Sequence, residues 1–574
     1  MRDRKVFKTL EDPARAIRNL VTRSRKRILS ELMTSKSKVN IEEAVGRLSV
    51  ENIYSPIDLP YYPRSLVDGC AVISSNTIGA GEDNPVKLVY RGRIHVGDKP
   101  LDTVKPGTCI EVDTGAWIPL GADSVVPIEY VELEAGEAVI SRSANVGMNI
   151  ALPSTDIGKG DLVISKGTLI TPEIAGSLAS VGISEVYATR RIRVSIGSTG
   201  DELIEPGAPL VEGKIYNSNR HYLIGRTRSL GFESIDYGIV EDDLEVLIEA
   251  LEKASRDSDL IIFTGGTSAG PEDVLYKAVG KIGTIMVHGL RIKPGKPTII
   301  GEIHGKPFFG LPGNPRSAVN VFEKVVLPYL GMTGLAQGEP YTRKAYLGTT
   351  IYGARGRTTF LPVAAAGDMV WPVARDSYMI ASYAWADGYI ELPSEAYAPL
   401  YEKEPVHVYF KRYPLPTVFS FTDLSRLESI SGLIEKLLES DTRYRIIPIP
   451  PEQVDGSSLE SMDYIIASNI VLEDNDYSGF DTVEIGYRDL ARVERKDSSE
   501  CSYTGIRSGY SSLRKEFPED TRVLYHPRFQ GLKVLLEKGY LDCALLPLDM
   551  VVEEKTYRIT VIARERLLFL YKRK

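Results

Sequence analysis

Residues 190–337 alternate apolar, strand-like runs with amphipathic helical ones, and this alternation constrains the fold more than any other feature of the chain. The order is RIRVSIGSTGDEL, NSNRHYLIGRTRSLGF, ESIDYGIV, DDLEVLIEALEKAS, DLIIFTGG, PEDVLYKAVGKIG, KPFFGLPGN and PRSAVNVFEKVVLPYL. Such alternation with short loops predicts a doubly wound parallel sheet with helices on both faces. Three glycine-rich loops fall where its strands hand over to helices: GSTGDEL at 197–203, TGGTSAGPED at 264–273 and LPGNPRS at 311–317. Loops so placed gather at the carboxyl edge of an open sheet, where ligands bind and free helix N-terminal amides favour anions. One such loop alone would more simply end a strand and start a helix, but three converging loops point to a phosphate-bearing ligand. In the last of them Gly313 allows close approach, Asn314 can cap, and Pro315 suits the first helical position.

Charged residues collect at the same strand ends. IKPGKP at 292–297 holds Lys293 and Lys296 on either side of a Pro-Gly turn, a spacing suited to a pyrophosphate or an oxyanion, although solvated turn lysines are the plainer alternative. Asp201, Glu202, Asp242 and Asp273 each have a simpler reading as helix N-terminal charges. Together with the lysines they suit a hard cation and a phosphate, because Mg²⁺ takes a few carboxylates plus phosphate oxygens.

The flanking regions differ. Residues 1 to about 50 read as helical, with Asn40 a candidate cap for a helix carrying Glu42 and Glu43 in its first turn. The basic run from Arg15 to Arg27 reads as the solvated face of a packed helix. Short runs between about 55 and 145 suggest a compact β domain, and 161–189 a strand, a helix started by Pro172 and a second strand. From about 338 to 412 the chain is β-rich again, as a small barrel would be. After KRYPLP a second α/β pattern begins, with helices expected at LESISGLIEKLLES and QGLKVLLEKGY.

At 574 residues the chain exceeds one hydrophobic core, at about 150 residues per domain. A net charge of −8 argues against nucleic acid bound through bulk electrostatics. Cys70, Cys109, Cys501 and Cys543 form no CxxC pair, so neither a zinc knuckle nor a disulfide framework is expected. With no apolar signal core and no run near ~18 apolar residues, no membrane association is expected and the cytoplasm is the expected compartment.

The ordered series SLVDGCAV, DTGAWIPLGADSVVPIE, STGDELIEPG, KIYNSN, TGGTSAGPEDV, KPGKP and LPGNPRSAVNVF resembles the molybdopterin molybdenumtransferase family, to which the E domain of gephyrin belongs, over roughly residues 10–412. The resemblance implies an elongated linker domain (1–50 and 147–189), an inserted β domain (51–146), a molybdopterin-binding α/β domain (190–337) and a β-barrel-like domain (338–412). It also implies a homodimer whose cleft lies between domains of different subunits. Family roles fall on Asp68, Thr114 and Glu129 in the inserted domain, on Glu202, Asp242, Asp273, Lys293, Lys296, Pro312 and Pro315 in the α/β domain, and on Ser377 in the last. The carboxylates would move protons or, as Asp242 and Asp273, hold Mg²⁺; the lysines and the Pro-flanked loop with Gly313 would hold adenylate and pterin phosphates.

This chain departs from the pattern at Cys70, where an aromatic is usual, at Ala151, where the family has Arg, and at LPSTD (152–156) in place of a Gly-Glu-Asp run. It reads GRTTFLPV where GRTEFLRV is typical. Residues 413–574 are similar to periplasmic-binding-protein-like domains, with TGIRSG at 504–509 as a partial ligand loop presenting Thr504 and Arg507; a remnant without ligand is an equal alternative.

The implied activity inserts molybdate or tungstate into adenylated molybdopterin with release of AMP. An oxo group leaves readily only after protonation, which makes a nearby carboxylic acid useful. Alternatives are molybdopterin adenylyltransferase, which the inserted β domain and barrel argue against and which is otherwise a candidate partner, and a pterin-binding or oxyanion-sensing scaffold without transferase activity.

Overall fold

The computed structural model describes residues 10–411 except 101, 268–272, 337–340, 367, 374–378 and 395–398. Beyond 412 it describes 417–420, 445–448, 464–468, 480–496, 503–507, 511–517, 519, 521–526, 529–537, 541–547, 550–551 and 557–572.

Six strands, β1 (Arg193–Thr199), β2 (Glu233–Val240), β3 (Leu260–Thr264), β4 (Gly283–His288), β5 (Ile299–Ile303) and β6 (Lys306–Leu311), form one sheet in the order β2-β1-β3-β6-β5-β4. The first four in that order are parallel, but β5 runs antiparallel to both of its neighbours. The all-parallel expectation is corrected at this edge. Ile303 pairs with Lys306 across His304 and Gly305, whose φ angles are 46° and 79°. Two residues at positive φ make a tight hairpin turn, and the His-Gly dipeptide was the available signal.

Helices α1 (Pro13–Thr34), α2 (Ser218–Ser229), α3 (Leu244–Asp257), α4 (Val274–Ile282) and α5 (Pro315–Val321) cover the sheet. On β3, Ile261 and Phe263 pack with Leu247, Leu251 and Leu275 of α3 and α4. Ile262 packs on the other side with Leu223 of α2, Ala318 of α5 and Leu20 of α1. A strand buried on both faces reads as a continuous apolar run, which is why DLIIF shows no alternation. On α1 the residues Ala16, Ile17, Leu20, Ser24, Ile28 and Leu32 form the buried stripe, while Arg18, Arg23, Arg25 and Lys26 are exposed.

The helical expectation for 35–50 is corrected. Lys36–Asn40 is a strand paired with Glu185–Thr189, and only Ile41–Ala44 is helical, with no capping bond from the Asn40 side chain. That strand partner is remote in sequence, so local periodicity carries no trace of it. The helix started by Pro172 is present (Pro172–Ser180) and packs through Leu178 on Ile41, Ile53 and Val186.

Between 69 and 140 a second six-stranded sheet carries a separate apolar cluster on each face, one holding Cys70 and Cys109, the other Ala71, Ile110 and Val112. A third sheet closes on itself where Thr358–Ala366 pairs with Gly388–Leu392, giving the barrel-like unit. Ile292–Lys293 adds to it in parallel, tying it to the α/β sheet.

The C-terminal region forms an eight-stranded mixed sheet dominated by two long antiparallel strands, Phe480–Arg495 and Tyr557–Lys572. Its apolar cluster includes Trp371 and Ala364 of the barrel-like unit together with Phe529 and Leu545. A helix is present at Phe529–Glu537; the one expected at LESISGLIEKLLES, and KRYPLP from 412 onward, lie outside the described residues. Thr504–Arg507 is corrected from loop to strand: it lies within Tyr503–Arg507, paired with Arg522–His526 and with Cys543–Pro547. Thr504 is fully buried there with its hydroxyl unpartnered, and Ser508 and Gly509, the rest of TGIRSG, lie outside the described residues. Cys543 is disulfide-bonded, which corrects the expectation of no disulfide; spacing along the chain says nothing of cysteines that meet only in the fold. Cys70 and Cys109 are free and buried. No helix among the described residues is long and apolar enough to cross a membrane.

Candidate functional site

The register levels the strand ends of the α/β sheet: Thr199 pairs with Val240, Ser198 with Thr264, and Thr264 with Leu311. The three glycine-rich loops therefore start from one edge. An open cleft lies there, lined by Thr199, Glu202, Leu203, Ile215, Tyr216, Asn217, Ser218, Asn219, Thr264, Gly265, Gly313 and Pro315.

Each loop meets the cleft differently. GSTGDEL does not hand over directly to a helix, as expected; it enters a ribbon in which Leu203–Ile204 pairs with Ile215–Tyr216 before α2 begins. The second loop crosses over to β6, where the Gly265 amide donates to the Leu311 carbonyl at 3.1 Å. Gly265 has φ +97°, and a Cβ there would lie 1.9 Å from the Thr199 carbonyl oxygen, so only glycine fits. In the third loop Pro315 opens α5 as expected, but Asn314 makes no side-chain cap. Pro312 is buried, whereas Gly313 is exposed and Pro315 half-buried on the cleft wall.

Asp273 caps α4: its Oδ1 accepts from the Tyr276 amide at 3.0 Å. Its Oδ2 is buried without a hydrogen-bond partner, and the residue is 6% exposed. Burial, aided by the negative charge of Asp242, pushes its carboxyl up to about 7 against a downward pull from the capped amide. His288, at the end of β4, stacks on Tyr276 with ring centroids 4.3 Å apart and brings Nε2 to 3.8 Å from Asp273 Oδ2. Burial holds this imidazole below its ordinary value, so near neutral pH a neutral ring faces the carboxyl and the approach is no ion pair. Asp242 accepts a hydrogen bond from the Thr199 hydroxyl.

Two carboxylates close enough to repel, one with a desolvated unpaired oxygen, fit a cation completed by ligand oxygens. Among the described residues no group of three or more His, Cys, Asp or Glu side chains could hold a metal by itself. Lys293 is exposed on the strand joining the barrel-like unit, and Lys296 is half-buried two residues before Thr298. Because Ile299 pairs with Gly310, Lys296 enters at the same edge, beside the third loop.

A second group forms on the 69–140 sheet. Asp68 Oδ1 accepts from the Thr114 amide at 2.7 Å and from the Thr114 hydroxyl at 3.1 Å. The Asp68 carbonyl takes the Ile128 amide at 2.9 Å, which sets Glu129 alongside. All three are exposed. Ala151, which stands where the family has arginine, pairs across strands with exposed Arg64. Ser377 lies outside the described residues, as does the side chain of Arg507.

KIYNSN supplies two further polar residues of the cleft. Asn217 Oδ1 accepts from the Ser198 hydroxyl at 2.9 Å, and Asn219 Nδ2 donates to the Gly313 carbonyl at 2.7 Å and to the Thr264 hydroxyl at 3.1 Å. Two asparagines flanking a helix start were the available signal. Arg220, ion-paired to Asp236 and Glu205, anchors the same turn.

Three family descriptions match in series: the MoeA N-terminal region (domains I and II) at 15–182, a probable molybdopterin binding domain at 195–332, and the MoeA C-terminal region (domain IV) at 344–402. A putative molybdopterin biosynthesis protein of Methanocaldococcus jannaschii is 34% identical over 393 residues, 66% of this chain and 94% of that protein. Molybdopterin molybdenumtransferase 2 of Mycobacterium tuberculosis is 31% identical over 382 residues, 64% of this chain and 94% of its own length. The crystal structure of a molybdopterin biosynthesis MoeA protein from Pyrococcus horikoshii covers 71% of this chain and all of that one, with 34% identity and a TM-score of 0.53. Similarity that runs through three consecutive regions and nearly the full length of these relatives leaves one conclusion: the chain belongs to the molybdopterin molybdenumtransferase family.

Proposed function

We propose that this protein acts in molybdenum cofactor biosynthesis, inserting molybdate or tungstate into adenylated molybdopterin and releasing AMP. The observation that carries the reading is the convergence of three glycine-rich loops on one cleft, whose wall residue Thr199 is hydrogen-bonded to Asp242, itself close enough to the desolvated Asp273 to raise its carboxyl. Phosphates of the substrate would lie on the amides at the start of α2 and α5, with Lys293 and Lys296 adding positive charge. Mg²⁺, held by Asp242 beside Asp273 together with substrate phosphate oxygens, would neutralise charge on the phosphoanhydride. Before such a cation binds, burial favours the protonated form of Asp273, and its unpartnered Oδ2 would be the atom to carry a proton to a departing oxo group; with the cation bound, the same oxygen would face the metal instead. Asp68, Thr114 and Glu129 would complete the cleft from a second subunit of a cytoplasmic homodimer, and Ser377 from the barrel-like unit. Residues 413–574 would act as an accessory binding domain packed on the barrel through Trp371.

Purified protein should release AMP from adenylated molybdopterin only when molybdate or tungstate is added. AMP release without oxyanion, or none with either, would sink the proposal; formation of adenylated pterin from ATP would point to the adenylyltransferase instead.

A further inference from the structure

We propose that Tyr216 is a stacking platform for a flat fused heterocycle of the substrate, so that the cleft holds a ring at one end and phosphates at the other. The inference rests on the function proposed above and assigns it a ring-binding residue. Tyr216 lines the cleft yet is 40% exposed, so part of its ring is uncovered by protein. Its position is fixed from several sides. The phenol hydroxyl donates to the Ala208 carbonyl at 2.8 Å, the Ile215 amide to the Glu202 carbonyl at 2.8 Å, and the Asn217 amide to the Ile204 carbonyl at 2.9 Å. A pre-ordered aromatic loses little further freedom on binding a ring.

The neighbouring asparagines supply an independent sign of a ligand. Asn217 is 1% and Asn219 7% exposed, and both line the cleft. The Arg220 amide, which can only donate, meets Asn217 Oδ1 at 3.5 Å, and the Gly313 carbonyl, which can only accept, meets Asn219 Nδ2; both amide orientations are thereby set, leaving Asn217 Nδ2 and Asn219 Oδ1 buried without protein partners. A buried donor and a buried acceptor without partners are costly unless a ligand meets them. Purine and pterin edges each offer acceptors and donors side by side. Gly313 carries no side chain, and a Cβ there would meet nothing nearer than the Gly265 Cα at 3.8 Å, so the cleft stays open on that side.

The test is calorimetric titration of the full chain with three probes: AMP, unsubstituted pterin and inorganic pyrophosphate. Tyr216→Ala should weaken AMP or pterin about 10-fold or more, as loss of one aromatic stacking contact does, while pyrophosphate affinity is unchanged. Tyr216→Phe should stay within about 2-fold of the native protein, because it keeps the ring face. The probe that loses affinity identifies the stacked ring. If the native protein binds AMP or pterin and Tyr216→Ala binds them equally well, the platform is refuted while the proposed function stands. An equal loss for pyrophosphate would show that the residue only shapes the cleft, and overturn the inference. Failure of the native protein to bind any probe would overturn the functional reading, and the inference with it.

Discussion

Asp273→Asn should make the α/β sheet more stable at pH 8 and leave it nearly unchanged at pH 4. Asparagine is a good N-cap and can still accept the Tyr276 amide, so the substitution removes the charge and keeps the cap. The carboxyl lies at about 7 in the fold against 3.8 unperturbed, so the folded state binds the proton more tightly than the unfolded state. Stability therefore falls as pH rises from about 4 to about 7 and stays reduced above that. About 3 units at 1.36 kcal/mol each set a ceiling of roughly 4 kcal/mol, and relaxation around the charge should bring the observed gain to about 1–3 kcal/mol. Hydrogen exchange at the amides of α4 and β3, corrected for intrinsic rates and compared at the two pH values, reads this difference locally. A gain of the same size at both pH values, or a loss at pH 8, would refute the account of Asp273 as a desolvated carboxyl.

Mixing Asp68→Asn with Asp273→Asn protein under subunit exchange should restore about a quarter of native AMP release, since half the dimers would be hybrid and each hybrid would carry one intact cleft; hybrids that form and stay inactive would show that the site is not shared. Gly265→Ala should cost more than about 3 kcal/mol or abolish folding, given the 1.9 Å approach to the Thr199 carbonyl, and a native-like denaturant midpoint would contradict it. Lys293→Ala should weaken binding of the adenylated substrate about 10-fold and flatten its salt dependence; an unchanged affinity would leave the lysine a solvated turn residue. Removing residues 413–574 should uncover Trp371 and Ala364, so the truncated protein should bind a hydrophobic dye more strongly than the full chain. Equal dye binding would mean that the barrel-like unit is covered without it.

The α/β sheet was legible because its signals are local: period, glycine loops, and a proline at the start of α5. The reversal of β5 depended on a two-residue turn in which histidine adopts positive φ, a weaker mark than Asn-Gly. The strand Lys36–Asn40 was hidden because its partner is remote in sequence. At the site, motif order supplied Asp242 and Asp273 but not their asymmetry, which arises from burial and from the amide bonded to one oxygen of Asp273 only. His288 escaped notice for the same reason: a lone histidine ending a strand becomes informative only when its ring meets Tyr276 and Asp273.

The two carboxylate groups also differ in environment. Asp273 is desolvated and costs the fold stability, whereas Asp68, Thr114 and Glu129 sit exposed on another sheet. An exposed carboxylate in water is screened and well hydrated, and exerts little force on a departing oxo group or a phosphate. Its influence grows when a second surface covers it and lowers the local dielectric. The Asp68 to Thr114 turn is already ordered by two hydrogen bonds to one carboxylate oxygen, so covering it adds little ordering cost. A pre-ordered but solvated carboxylate turn and a desolvated carboxylate on separate sheets would be complementary in this sense if, as proposed, they meet across two copies of the chain.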